Sequence, residues 1–559
     1  MFRNILRFSI YNRHAVLLVT AIVALVGIAS YRHLIIDAVP DITNVQVQIN
    51  TEAEGYSPLE VERRVTQPLE QILLGMPALD YTRSLSRYGL SQVTAVFLDG
   101  TDIYFARQLV AQRLQESRNS LPAGVAPQMG PIATGLGEIF QFIVENSEDN
   151  LAPKTLQELR EIQDWVVRPQ LKTVAGVVDV NSIGGAAKQI VVSPNIEKLR
   201  AFGLTLHDIS TAISANNSNI GAGFVERSGE QILLRVPAQI DRPEAIESLA
   251  VGMHEGTPIL ISQVAKVEVG SELRAGAATE NGREVVLGTV FMLIGENGRN
   301  VAERVSAKLA EISKSMPTGV VIKPVYNRAH LINQAIATVR RNLFEGAVLV
   351  IVILFVALGN LRAAFVTACV IPLSMLITIL GMAQGKLSAN LMSLGALDFG
   401  LIVDGAVILV ENCVKRLREK RLGLGRQLSL AERLEVVYEA SSEVREATMF
   451  GELIIMVVYV PILALAGIEG KMFHPMAITV LLALTAAFVL SLTFVPAAVA
   501  VFARGEGREE SSVFKRISLG YAQVLERLLA IPYATIGAAL AIFVSSLVLF
   551  RALGSEFIP

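Results

Sequence analysis

Only two cysteines occur in 559 residues, Cys369 and Cys413, and both stand in apolar segments. That leaves neither a disulfide framework nor a cysteine-built zinc site, and each reads as a small packing residue. The six histidines are scattered with no two at ligand spacing; His330 and His474 fall near the ends of apolar runs, where an interfacial position fits. Charge is thin at 18% of residues and balances to −2, so the basic excess that nucleic-acid binding requires is missing. No nucleophile–base set, phosphate loop or metal motif gives footing to an enzyme reading, and no cofactor is implied. In place of charge there is hydrocarbon. Hydrophobic residues make up 52% of the chain and mean hydropathy is +0.49, values of the membrane class.

A helix crossing about 30 Å of hydrocarbon needs about 20 apolar residues, or about 17 at the short end. The first such run is HAVLLVTAIVALVGIASY (14–31), preceded by Arg3, Arg7 and Arg13. A cleaved signal peptide shares this layout. Further spans follow, however, and Tyr31-Arg32-His33 is a poor cleavage context, so a retained anchor is expected. Apolar runs are then absent until 337–358, 363–383, 391–413, 449–468, 474–502 and 533–552, which gives seven expected spans. Basic residues gather at Arg362, at Lys415, Arg416, Arg418, Lys420, Arg421 and Arg426, and at Arg504, Arg508, Lys515 and Arg516. Counting spans puts every one of these on the side of the N-terminus, the positive-inside pattern. The predicted layout is a first span within 1–31, an outer domain over 32–335, five spans over 336–505, an inner amphipathic linker at 506–532 and a last span at 533–552.

The outer segment alternates between periods. VQVQIN and SQVTAVFL have the period of strands; SPLEVERRVTQPLEQIL and DIYFARQLVAQRLQESRNSL have that of helices. Strand–helix–strand–strand–helix is the order of a ferredoxin-like split βαβ unit. It recurs in EIFQFIVEN, LQELREIQDWVVRPQLK and VVDVNSI, and resumes after an interruption at VVLGTVFML, NVAERVSAKLAEISKSM and GVVIKPV. The fold class expected is therefore an α-helical membrane bundle carrying two small α/β subdomains, the second with an insert at about 185–275.

The last apolar run exits like the first: Leu34, Asp37 and Pro40 match Leu553, Glu556 and Pro559 in spacing. This is a repeat signal, and transporters are often built from repeated halves. A recurring exit turn would give the same match by chance. If the repeat is genuine, 553–559 begins a second outer domain, and the chain is the first half of a protein near twice its length.

The stretch LDFGLIVDGAVILVEN (397–412) sets three acids, Asp398, Asp404 and Glu411, in an apolar run, with Gly400 and Gly405 between them. On one continuous helix Asp404 and Glu411 would lie about 20° apart and Asp398 about 120° from Asp404. A charge at mid-bilayer costs about 2.5–3.5 kcal/mol on insertion scales. Such acids must be protonated, paired or facing a wet interior, and a carboxyl whose charged form is disfavoured by burial can load and release protons. The alternative is a packing role, bonded to a neighbouring helix; beside Asn412 and Lys415 this reading is strongest for Glu411. The glycines fit close helix packing.

With DFG at 398–400, DGA at 404–406 and EN at 411–412, the chain resembles the resistance–nodulation–division (RND) superfamily of proton-driven exporters, and within it the heavy-metal efflux branch of the cobalt–zinc–cadmium pumps. VPDI (39–42), NLRAA (360–364), IPLS (371–374) and TFVPA (493–497) extend the likeness. The resemblance implies that Asp404 is the central proton carrier and that Asp398 and Glu411 belong to the same relay. It implies a homotrimer in the cell inner membrane with a periplasmic outer domain, joined to a periplasmic adaptor protein and an outer-membrane channel. NNSNIGAGFVERSGEQ (216–231) would be the docking arm reaching a neighbouring subunit; an ordinary Gly/Asn-rich loop reads the same. Drug-exporting relatives usually carry two adjacent aspartates where this chain has Asp404 and Gly405. The copper and silver branch carries methionines where Ile402 and Leu409 stand here, so a borderline divalent cation such as zinc, cobalt, nickel or cadmium is the expected substrate. The membrane methionines Met375, Met382, Met392, Met449, Met456, Met472 and Met476 read as gap-fillers, and no metal ligands can be named. Two other readings stay open: export of organic compounds by the same architecture, and a non-transporting remnant or secretion auxiliary.

Overall fold

The computed structural model describes residues 2–552 apart from 32–33, 35, 38–39, 118–119, 148–151, 218–219, 237–238, 273, 275, 359, 386 and 504–511. Leu553, Glu556 and Pro559 of the exit repeat lie outside the described residues, as do Val39 of VPDI and Arg504 and Arg508. The chain divides into two compact units, Thr43–Ile332 on one hand and Met1–Ile42 with Asn333–Pro559 on the other.

In the first unit, alternation and helical period produce two modules of the same plan. Strands β1 (Val45–Glu52), β2 (Leu79–Arg87), β3 (Leu90–Phe97) and β4 (Pro127–Met129) form an antiparallel sheet in the order β2-β3-β1-β4, with helices at 58–73 and Ile103–Ser117. Val61, Val65, Leu69 and Leu73 recur every fourth residue, as do Ala106, Val110 and Leu114, so each helix turns one apolar stripe onto Val47, Ile49, Val93, Ala95 and Phe97. The second module uses β5 (Glu138–Asn146), a helix at 156–172 and β6 (Val177–Ile183), then, after the insert, β13 (Ala278–Glu280), β14 (Arg283–Met292), the helix Gly298–Ser313 and β15 (Val320–Asn327). Its sheet runs β13-β14-β5-β15, with β6 also paired to β14. Phe140, Phe142, Val290, Val305 and Leu309 are in its core. Gly288 faces Phe142 across the ladder, and the phenyl ring lies where a side chain at 288 would stand.

Both first helices of the modules start on reciprocal caps. The Glu60 carboxylate accepts from the Ser57 backbone N–H at 2.9 Å, and the Glu158 carboxylate from that of Thr155 at 2.8 Å. These backbone hydrogen bonds, followed by those from the same residues' hydroxyls, hold both carboxyls below the ordinary glutamate value. Each helix then widens into a single π turn, Glu62–Thr66 and Gln163–Val167, just before Pro68 and Pro169. A proline ring cannot donate to the turn below and crowds its carbonyl, and one extra residue in that turn relieves both problems. The periodicity gave no hint of these bulges.

Between β6 and β13 the insert builds a core of its own from Leu199, Ile209, Ile246, Ile259, Ile261, Val264 and Val267. It contains β7 (Lys188–Pro194) paired with β12 (Ala265–Ser271), the hairpin β8 (Ile220–Arg227) with β9 (Glu230–Val236), and the pair β10 (Ala250–His254) with β11 (Thr257–Leu260). Phe224 and Leu233 of the β8–β9 hairpin are exposed.

The second unit is helical. Five helical stretches among the described residues are long and apolar enough to cross a membrane: Arg13–Tyr31, Leu361–Gln384, Met392–Leu424 (which has a break ahead of Phe399), Gly467–Leu492 and Pro532–Arg551. A sixth is counted if Leu430–Arg445 and Thr448–Ala464, bent by 45°, form one span. The expected segment 337–358 forms the greater part of the helix Arg328–Leu358, whose first nine residues precede it. Several boundaries differ from the hydropathy pattern. The run 474–502 is two helices, Gly467–Leu492 and Phe494–Phe502, broken at Thr493; Pro496, which lacks an N–H, sits in the second helix's first turn, where no donor is needed. The basic N-terminus is a separate helix, Phe2–Tyr11, that buries Leu6 and Ile10.

Candidate functional site

The acidic run is not one helix. Asn390 caps a short helix, Leu391–Gly395, and the chain breaks before Phe399–Leu424 begins. Asp398 stands at that break as the N-cap, its carboxylate accepting the Gly400 N–H at 2.8 Å. The angular relation computed for Asp398 on a continuous helix therefore does not apply. An aspartate ahead of an apolar helix satisfies backbone donors that would otherwise be orphaned. Asp398→Ala is expected to destabilise the protein by about 0.5–2 kcal/mol through loss of this cap, while Asp398→Asn keeps an acceptor and should cost less than half as much. Thermal midpoints of the two variants check this.

Asp404 and Glu411 do share a face. Both are exposed, as is Ile408 between them, while Ile402, Val403, Gly405, Ala406, Leu409 and Val410 are buried on the other side. The two carboxyls are separated by about 10 Å along the axis, too far for a direct hydrogen bond. Ile402 and Leu409, 3% and 1% exposed, belong to the packed face and not to that of the acids.

The packed face is fastened to the helix Leu430–Tyr459 by polar contacts. Asn412 donates to the Ala440 carbonyl at 2.9 Å, the Cys413 sulfur lies 3.4 Å from the Ser441 hydroxyl, and Arg416 pairs with Glu443 at 2.7 Å. Further along, the same helix supplies two residues the sequence reading missed. Glu452 brings its carboxylate against the backbone at Gly405, so closely that a methyl group on residue 405 would overlap Oε1. Arg445, 3% exposed, holds that carboxylate at 3.2 Å, donates to the Ser491 hydroxyl at 2.9 Å and lies 4.6 Å from the Phe488 ring centroid. Removing Glu452 would leave the buried Arg445 uncompensated, a loss of up to about 3–5 kcal/mol, reduced because Glu452 itself is only partly buried. The signal was present in the sequence. Glu452 is the fourth residue of the run 449–468, and Arg445 precedes it by seven residues, two helical turns.

Among the described residues no group of three or more His, Cys, Asp and Glu converges as a metal site. Met382 and Met456 each accept a threonine hydroxyl, from Thr479 and Thr485, at 3.7 Å. The unit thus offers carboxyls along a helix face, a buried guanidinium paired with a partly buried carboxylate at the neighbouring Gly405, and apolar packing elsewhere.

The sequence matches the AcrB/AcrD/AcrF family over residues 5–559. The chain belongs to that family. It is 56% identical over 562 residues to Protein HelA of Legionella pneumophila, with all of this chain and 53% of HelA covered. It is also 56% identical over 566 residues to the cobalt-zinc-cadmium resistance protein CzcA of Cupriavidus metallidurans, with the same coverage. A crystal structure of a heavy metal efflux pump superposes with a TM-score of 0.85 at 31% identity, over 99% of this chain and 53% of the pump. The resemblance read from DFG, DGA and EN thus holds along the whole chain, on the side of the RND superfamily's heavy-metal pumps. The chain spans about half the length of the curated relatives it matches.

Proposed function

We propose that this chain is the N-terminal half of a proton-driven antiporter that exports divalent heavy-metal cations of the zinc, cobalt, cadmium or nickel class. The observation that carries the reading is Asp404: a carboxyl on the exposed face of an apolar helix, in a chain 56% identical to a cobalt-zinc-cadmium resistance protein. An ionised group there has no role in packing hydrocarbon, and its cost is recovered only if it titrates or is neutralised in use. Asp398 and Glu411, at the helix start and two turns beyond Asp404, extend the same relay, with water or moving side chains bridging the gaps. Gly405 keeps a neighbouring helix close, with the Glu452 carboxylate against it, whereas Gly400, expected to pack likewise, is exposed and meets only the Asp398 carboxylate that caps the helix.

In this reading seven spans cross the inner membrane with the N-terminus cytoplasmic. The helix Ser512–Ala530 belongs to the inner linker. The unit Thr43–Ile332 is periplasmic, its two β-α-β-β-α-β modules are ferredoxin-like porter subdomains, and the insert of about 185–275 is the docking domain. The exposed apolar residues Phe224 and Leu233 on the β8–β9 hairpin support a docking arm that engages a second copy in a homotrimer. A periplasmic adaptor and an outer-membrane channel complete the route. Borderline divalent ions are favoured because soft thioether ligands do not stand at 402 and 409.

The test is reconstitution of the full-length transporter in liposomes carrying a zinc-sensitive dye. An imposed pH gradient is expected to drive zinc movement that a protonophore abolishes. Zinc flux indifferent to the gradient would contradict proton coupling.

A further inference from the structure

The insert hangs on the second module by two connectors, one leaving β6 and one entering β13. Among the described residues its core shares no side chain with the core of the module, so apolar packing does not set the angle between them. Two bodies joined in this way move relative to each other unless something else holds them.

What holds them is the polar side of the helix at 156–172. Leu159, Gln163, Val167 and Leu171 recur every fourth residue and are buried. Gln157, Arg160, Glu161 and Asp164 have the spacing of a second stripe on a different side of the same helix. On a surface helix such a polar stripe is ordinarily left to water. Here every member is engaged. Gln157 Nε2 donates to the Gly270 carbonyl at 2.7 Å, Arg160 Nη1 donates to the Gly184 carbonyl at 3.0 Å, and Glu161 pairs with Lys188 at 3.4 Å. Asp164 accepts from Arg160 Nε at 2.6 Å and from the Ser182 hydroxyl at 2.5 Å. The stripe thus reaches both strands of the stalk. Those strands are joined to each other by the β7–β12 ladder and, just beyond it, by the Glu272 N–H on the Ala187 carbonyl at 2.9 Å.

The first connector has no slack. Gly184 and Gly185 turn it with φ of +82° and +61°, the left-handed region that suits glycine. A methyl group on residue 184 would overlap the Val285 carbonyl oxygen, and one on residue 185 would lie 2.9 Å from the Leu156 carbonyl oxygen and 3.1 Å from Arg160 Cβ. Clefts of about 630 and 360 Å³ adjoin this joint, with Arg160 in the wall of both, so its grip is not backed by packed side chains there.

We propose that Gln157, Arg160, Glu161 and Asp164 form a clasp that fixes the insert at one angle on the second module, with Arg160 as its central member. One planar guanidinium with several donors reaches the stalk carbonyl and Asp164 together, and Asp164 in turn holds Ser182 of β6. The inference rests on the reading of the β8–β9 hairpin as a docking arm: an arm held at one angle meets a second copy without first losing freedom.

The experiment reads a distance within one subunit of the full-length transporter by pulsed electron paramagnetic resonance. Spin labels are carried by Ser248→Cys in the insert and Ser313→Cys in the module, both at exposed positions, in a Cys369→Ala background with Cys413 left buried. Labelled subunits are mixed with an excess of unlabelled ones, so that only pairs within one chain contribute. Wild type is expected to give one narrow distance distribution, and Arg160→Ala one about twice as wide or more, as for domains without a shared core. Gln157→Ala combined with Ser182→Ala removes two contacts and leaves no charge unpaired, so it should fold and broaden the distribution as well. It decides the matter should Arg160→Ala not assemble. A broad distribution in wild type, or one as narrow as wild type in folded Arg160→Ala or in the double variant, would overturn the clasp. Phe224→Asp combined with Leu233→Asp is expected to lower the trimer fraction on size-exclusion chromatography while leaving the distance within one subunit unchanged. A trimer that persists in that variant would instead overturn the docking reading itself.

Discussion

Asp404→Asn in the full-length transporter is expected to abolish zinc-coupled proton movement, with a loss of about 100-fold or more, the scale on which a positioned proton-transfer group contributes. The substitution preserves shape and hydrogen-bonding reach and removes only the ability to ionise. Asp404 is exposed in the second unit and takes no part in the apolar packing of its helix, which is made by Ile402, Val403, Ala406, Leu409 and Val410. Stability should therefore change by no more than about 0.5 kcal/mol, as for other substitutions outside a packed core. The prediction is a separation: transport lost, assembly and thermal midpoint retained. Resistance of cells to zinc reads the first and size-exclusion chromatography the second. A variant that transports normally, or one that fails to assemble, would make Asp404 a structural residue.

Phe142→Ala is expected to have the largest effect on stability, about 3–5 kcal/mol. Phe142 is fully buried in the middle of β5, and its ring covers Gly288 on the neighbouring strand. Truncation would open a cavity that Gly288, having no side chain, cannot fill, and β5 is the strand that joins β14 to β15. The reverse change, Gly288→Ala, should cost about 1–3 kcal/mol by overpacking the same contact. Hydrogen exchange over 138–146 and 283–292 measures both. Protection in these strands should fall together, while that of the first module, whose core is separate, should stay unchanged. Equal loss in both modules would show that they unfold as one cooperative unit.

Much of this was legible in the chain. VQVQIN and SQVTAVFL became β1 and β3 because alternation specifies a half-buried strand wherever one face meets a helix. The helical stripes from Val61 to Leu73 and from Ala106 to Leu114 were equally visible. The acidic motif pointed to the family through the resemblance carried by DFG, DGA and EN, and the comparisons along the whole chain agree with it. Hydropathy failed where a boundary is made by one residue's hydrogen bonding. Asp398 reads as an acid within an apolar run, yet it is a cap, and the break at Thr493 leaves no dip in hydropathy. Glu452 and Arg445 were missed for a different reason. Their meaning lies in a contact between helices, with Gly405 on one side and Ser491 and Phe488 on the other, and a window along one segment carries no information about what faces it.

The most direct test of the central claim is infrared difference spectroscopy of the full-length transporter during zinc turnover, with Asp404→Asn as the reference. The account predicts a protonated-carboxyl band that changes when zinc is added in wild type and is missing from the variant. An Asp404 carboxyl that keeps one protonation state throughout turnover, with zinc still moving, would contradict it.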